Sequence, residues 1–187
     1  MSFLNNLKLI VTIREMMRAS AQRAADQCLW DGCKTGDVTA VKEALNKGAN
    51  VNGMYFFGEY TPHYMYSDES YHAYITPLIL TATKASKAKD KEPYYQILSM
   101  LLQHPSINLS RIAKDVMYEY RDSYTDFKSL NGVLTSPERF VVNSRRPRVS
   151  AHLYPISDEV VHFLTDIQKR RERAEYFARI DRSEGRN

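Results

Sequence analysis

The stretch Leu29 to Asn52, LWDGCKTGDVTAVKEALNKGANVN, decides the fold expected of this chain. Gly36 follows a short first helix, where a left-handed backbone is cheapest without a Cβ. Asp37 can cap a second helix by accepting from its free amide hydrogens. Val38, Val41, Ala44 and Leu45 then recur at helical spacing on one side, with Lys42, Glu43 and Lys47 away from it. One face is thereby set aside for a neighbouring element. Gly48 ends the helix, Ala49 and Val51 turn inward, and Asn50 and Asn52 satisfy loop backbone.

A second unit follows the same plan. Ile75-Thr76-Pro77-Leu78 opens it, Ile97-Leu98 and Leu101-Leu102 supply the paired apolar positions, and His104-Pro105-Ser106-Ile107-Asn108 closes it. Together these residues resemble the ankyrin repeat, in which a Gly-Asp or Gly-His turn joins two helices and Gly-Ala-x-Val-Asn ends the unit. The resemblance covers Ala24 to Leu109 and implies a stack of helix pairs that binds partners on its concave face. Ile79 departs from it where the family usually has His, and Trp30 occupies that position in the first unit. Cys33 falls where a small buried residue is expected, and Cys28 where Pro is usual. Between the second pair of helices, Ala85 to Gln96 is longer than a turn and carries the charged run SKAKDKEP, so an extended first helix and an exposed loop are expected.

Two repeats do not cover their own outer faces, since about three stacked units are usually needed. The flanks are therefore expected to cap them. Leu4, Leu7, Ile10, Val11, Met16 and Met17 lie near helical spacing, which predicts an N-terminal capping helix; a membrane-surface helix is the alternative, disfavoured by the mixed charge. Lys8, Arg14 and Glu15 interrupt that run, so it is neither a secretory signal nor a transmembrane span. Ile112, Val116 and Tyr120 predict a helix over Arg111 to Tyr124, in the place of a degenerate third repeat. Asn131-Gly132 signals a turn, Ser136-Pro137 a helix start, and Arg145 to Arg148 an exposed loop. Ser157-Asp158-Glu159 opens a final helix with an apolar stripe of Val160, Phe163, Leu164 and Ile167. The expected architecture is all-α: a capping helix at 1–23, repeat one at 24–52, an inserted aromatic loop at 53–75, repeat two at 76–110, and a degenerate repeat with a helical cap and basic tail at 111–187.

The insertion carries the functional expectation. Asn52 and Thr76 are 24 positions apart, where an ordinary junction needs about 8 of the roughly 33 residues in a repeat. GMYFFGEYTPHYMYSDESYHAY holds eight of the chain's aromatic residues. Tyrosine suits a recognition loop because it offers contact area and a hydroxyl at low rotamer entropy. Tyr55, Phe56, Phe57, Tyr60, Tyr64 and Tyr66 are accordingly expected to bind a protein partner, together with Asp31 and Lys34 near the groove; packing of the rings onto the stack is the alternative. Trp30 is expected in the core.

The rest of the sequence offers little chemistry. A cysteine nucleophile or a zinc site would need clustered His, Cys or carboxylates, and Cys28, Cys33, His63 and His72 match no common spacing. No phosphate-binding glycine loop or nucleophile elbow is present. No catalytic residue, cofactor or metal is therefore expected. An enzyme with its site in the C-terminal third is kept open, with His152, Asp158, Glu159 and His162 as its groups. The formal charge of +4 arises entirely from Arg139 onward, so Arg145, Arg146, Arg148, Lys169, Arg170 and Arg171 are a further alternative for contacting nucleic acid or anionic lipid. Glu172, Glu175 and Asp166 interleave with the second cluster and favour a solvated helix face instead. Cys28 and Cys33 are too divergent on one helix for a disulfide, which favours a reducing, cytoplasmic compartment. In style the chain resembles the small ankyrin effectors that intracellular bacteria deliver into host cytosol.

Overall fold

A computed structural model describes residues 3–60, 70–110, 113–118, 123–128, 130 and 156–183. Helix α1 spans Phe3–Thr35 and α2 Val38–Asn46. Ala25, Leu29 and Cys33 are buried at successive turns of α1 and meet Val41 and Ala44 of α2. Gly32 lets the two helices approach, because a Cβ there would stand 2.8 Å from the Val41 side chain. Gly36 has φ +79 at the turn, and Asp37 accepts from the Ala40 amide at 2.9 Å. Gly48 has φ +82 past the end of α2. Both glycines and the cap stand where the sequence requires them.

The second pair is α3, Pro77–Lys87, and α4, Glu92–Gln103. Every residue from Pro77 to Thr83 is buried, because α3 is enclosed by α1, α4, the final helix and a strand. Ile79 fills its position with hydrocarbon in the core. Lys89 and Asp90 are exposed in the connection to α4, as the charged run predicts. α1 lies beside α3 and α2 beside α4, so the pairs stack in register. Their closing loops are joined by one side chain: Asn52 accepts from the Asn108 amide at 2.7 Å and donates to the Ser106 carbonyl at 2.7 Å.

The final helix, α5, spans Asp158–Ser183 and covers α3 and α4 through the buried Val160 and Leu164. Its start is tied to the α3–α4 connection. The Ser157 amide donates to Ser86 Oγ at 2.9 Å, Lys91 pairs with Glu159, and Tyr95 donates to Glu159 at 2.8 Å. The Tyr95 and Phe163 rings stack at 4.3 Å. Further along, Arg171 donates to the Leu102 carbonyl at 3.0 Å, at the C-terminal end of α4.

The chain is mostly helical, consistent with the expected class, and it also carries a four-stranded antiparallel sheet that the sequence did not predict. Its strands are β1, Tyr55–Tyr60; β2, Ser70–Ile75; β3, Ala113–Tyr118; and β4, Ser123–Lys128, in that order across the sheet. The aromatic segment expected as a loop is thus the hairpin β1–β2. Where it is described, at 113–118 and 123–124, the segment expected as a helix over Arg111 to Tyr124 forms strands instead, while Ile112 and Tyr120 lie outside the described residues. Ile112, Val116 and Tyr120 are spaced by four, which keeps residues on one face of a strand as well as near one face of a helix. The β-branched and aromatic residues around them favour the strand once β2 is available as a partner.

The N-terminal capping helix is also corrected. Residues 3–23 continue α1 without a break, and the side chains described from Ile10 to Ala24 are exposed, with Gln22 reaching the first closing loop. Their apolar spacing reports a face but not what lies against it. The turn at Asn131, the helix start at Ser136 and the loop at Arg145 to Arg148 lie outside the described residues. No described helix is long and apolar enough to cross a membrane. Cys28 and Cys33 are free thiols.

Candidate functional site

The hairpin alternates its side chains between two destinations, as a period of two requires. On the inner face, Ala73 and Ile75 are buried and Tyr55, opposite Ile75, turns onto the helix pair. The Tyr55 ring stacks on Trp30 at 4.5 Å with 18° between planes, and its hydroxyl donates to the Asp26 carbonyl at 3.0 Å. Burial, aided by the negative charge of Asp26, pushes its phenol up to about 12. Asp26 also accepts from the Asn50 amide at 2.7 Å and from Gln22 at 2.8 Å, so one carboxylate holds the closing loop while its own carbonyl holds the hairpin. Gln22 donates in turn to the Gly48 carbonyl at 2.9 Å.

On the outer face, Phe56 is 54% exposed. It stands opposite Tyr74 and diagonal to His72, and its ring meets theirs edge-on at 5.8 and 5.5 Å. Such tilted pairs place ring edges against π-faces and hold the rings without burying them. The pairing register shifts between Phe56 and Gly58, so the strand carries a bulge at Phe57, and Phe57 packs partly against the core.

The residues expected to bind a partner therefore separate. Phe56 faces solvent, and Asp31 and Lys34 are exposed on α1. Tyr55 is corrected from partner contact to anchor, because its position in β1 directs it to Trp30. Phe57 is half-buried by the bulge rather than displayed. Tyr60 lies at the end of β1 with no side-chain placement described, and Tyr64 and Tyr66 lie outside the described residues. Trp30 is half-buried against the core and stacked. His72 and Tyr74, both half-buried, complete the ring cluster around the exposed Phe56, and the sequence weighed His72 only as a zinc ligand and Tyr74 only as one of eight aromatic residues. Their signal was the strand period, which becomes legible once residues 70–75 are taken as β.

Of the groups kept open for catalysis, Asp158, Glu159 and His162 stand in the first turns of α5. Glu159 is engaged by Lys91 and Tyr95, and those hydrogen bonds, Lys91 foremost, lower its carboxyl below the ordinary range. Tyr95, half-buried and bonded to that carboxylate, is pushed up to about 12. Asp158 and His162 are exposed, and His152 is outside the described residues. A cleft of about 490 Å³ between α4 and α5 is lined by residues such as Gln103, Phe163, Asp166, Arg170 and Arg171. Cys33 is buried, which pushes its thiol up to about 12 against the opposing bond from Thr81, and Cys28 donates to the Ala40 carbonyl at 3.7 Å. Among the described residues no three His, Cys, Asp or Glu are grouped to hold a metal ion. In comparisons with known proteins, no family model, curated protein or solved structure matches this chain.

Proposed function

We propose that this chain is an ankyrin-like, non-catalytic binding module that captures a protein segment on its aromatic hairpin and the neighbouring end of α1. The observation that carries this reading is the outward-facing cluster of Phe56, Tyr74 and His72, on a strand pair rooted in the helix stack through Tyr55. An exposed aromatic held by its neighbours loses little freedom on binding, which is what an interface anchor requires. The ankyrin-like part of the reading rests on the paired helices, the two left-handed glycines and the matched Asn52 and Asn108 in consecutive closing loops. The hairpin extends from the junction between the units, where such a stack offers its variable surface.

Capture of partners from cell lysate by the intact protein and by Phe56→Ala/Tyr74→Ala tests this. The double variant should lose its enriched partners while keeping its unfolding midpoint. Equal recovery by both proteins overturns the assignment. A host-protein target, in the manner of bacterial ankyrin effectors, belongs to the same proposal and would emerge as the identity of the enriched band.

A further inference from the structure

The surface is strongly polarised. Gln22 and Asp26 fix α1 beside the first closing loop, so the helix before Gln22 extends past that end of the stack. Arg171 fixes α5 at the C-terminal end of α4, so its last residues extend past the same end. At 1.5 Å per residue the first arm runs on for about 28 Å and the second for about 18 Å. Ile10, Val11, Ile13, Met16 and Met17 are exposed on the first, with Met16 at 63% and Met17 at 68%. Tyr176 and Phe177, each 61% exposed and edge-on to each other at 5.7 Å, are exposed on the second. With Phe56 at the same end, these are all the large exposed apolar side chains among the described residues.

The first arm is also basic. Residues 10–24 hold Arg14, Arg18 and Arg23 against Glu15, while past Arg171 the second arm is balanced, with Arg173, Arg179 and Arg182 against Glu172, Glu175 and Asp181. Ile10, Ile13 and Met17 follow a spacing of three and four along one line of α1, with Arg14 and Arg18 turned to its flank. A second copy is a poor occupant for this line. In a coiled coil of α1 with itself, the flanking positions would be Arg14, Met16, Ala21 and Arg23, and Glu15 would stand on the far side, so no acid meets a base.

We propose that this end of the molecule docks on an anionic lipid bilayer. The α1 arm would lie in the interface, with Ile10, Ile13 and Met17 among the acyl chains and Arg14 and Arg18 at the headgroups. The Tyr176–Phe177 pair, flanked by Arg173 and Arg179, forms the second contact. One short amphipathic contact is weak and reversible, and two on one rigid body reinforce each other. The inference stands apart from partner capture by the hairpin, since it uses different side chains.

Co-sedimentation of the full chain with phosphatidylcholine vesicles, with and without about 30% phosphatidylserine, tests it. The protein should pellet with the anionic vesicles and stay in solution with the neutral ones. Arg14→Glu/Arg18→Glu should weaken partition by roughly thirty-fold, and Ile13→Asp/Met17→Asp by a similar factor or more. All four positions are exposed, so unfolding midpoints should not move, and Phe56→Ala should pellet like the intact protein. Absence of pelleting, equal pelleting with neutral lipid, or indifference to both double variants overturns the proposal. So does a dimer in sedimentation velocity that Ile13→Asp/Met17→Asp converts to monomer, because a second copy would then occupy the stripe.

Discussion

Tyr55 and Phe56 are neighbours of similar size, and the structure assigns them opposite consequences on truncation. Tyr55→Ala removes a stack on Trp30 at 4.5 Å, a hydrogen bond to the Asp26 carbonyl at 3.0 Å, and a half-buried ring. The stack contributes about 0.5–1.5 kcal/mol and the bond a similar net amount. Lost burial of the ring adds about 1–2 kcal/mol at 25 cal/mol per Å². The expected destabilisation is about 3 kcal/mol, with Tyr55→Phe costing about 1 kcal/mol because only the hydroxyl bond goes. Phe56→Ala should cost less than about 0.5–1 kcal/mol, since its contacts are two edge-on rings at an exposed site. Urea titration followed by far-ultraviolet circular dichroism measures all three. Equal destabilisation by the two alanine variants, or a neutral Tyr55→Ala, would refute the division of the hairpin into an anchoring and a displayed face.

Asn52→Ala should cost about 1–2 kcal/mol in thermal unfolding, because it leaves the Asn108 amide and the Ser106 carbonyl unmatched where the two closing loops meet, while Asn50→Ala, which loses only the Asn52 amide, should cost less. Glu159 has a depressed folded-state pKa, so its contribution to stability is present above the unfolded value of 4.5 and disappears as pH falls through the folded one. The stability gap between the wild type and Glu159→Gln, measured by denaturant titration, should therefore be constant above about pH 5 and close in more acidic buffer. Cys33, held near 12, should resist a thiol reagent at neutral pH in the native state and react only after unfolding, whereas Cys28 is half-buried and should react first. If Cys33 labels as fast in native protein as in denaturant, its burial against Thr81 is wrong.

Local backbone requirements made part of this fold legible from sequence. Gly36, Asp37 and Gly48 can each do little else than turn, cap and end a helix, and the structure uses them so. The start of α5 at Asp158, with its stripe of Val160 and Leu164, was legible for the same reason. The sheet was not. Val116, four residues from Ile112 and from Tyr120, satisfies both helical and strand periods in the sequence, and its place in a strand depends on pairing with β2, a tertiary fact. The hairpin carries no Asn-Gly turn between Tyr60 and Ser70 to announce it. The candidate site was half legible: aromatic enrichment marked the segment, but the division of Tyr55 from Phe56 needed the strand register. The ties made by Asp26, Lys91 and Arg171 have no sequence signal, because their partners are carbonyls and side chains brought near only by stacking. Asn52 and Asn108 did have one, as equivalent residues of two closing loops.

Because α1 is a single helix whose later turns are locked in the core by Ala25, Leu29 and Cys33, its exposed N-terminal half grows from a nucleus that already exists. Starting a helix in isolation is the improbable step, by a factor of about a thousand; extending one is nearly neutral per residue. Order in this segment should therefore decay gradually from Ala24 towards Phe3, visible as a smooth rise in amide exchange rate along the sequence. A surface that gains contact with it would flatten that gradient without first having to fold anything.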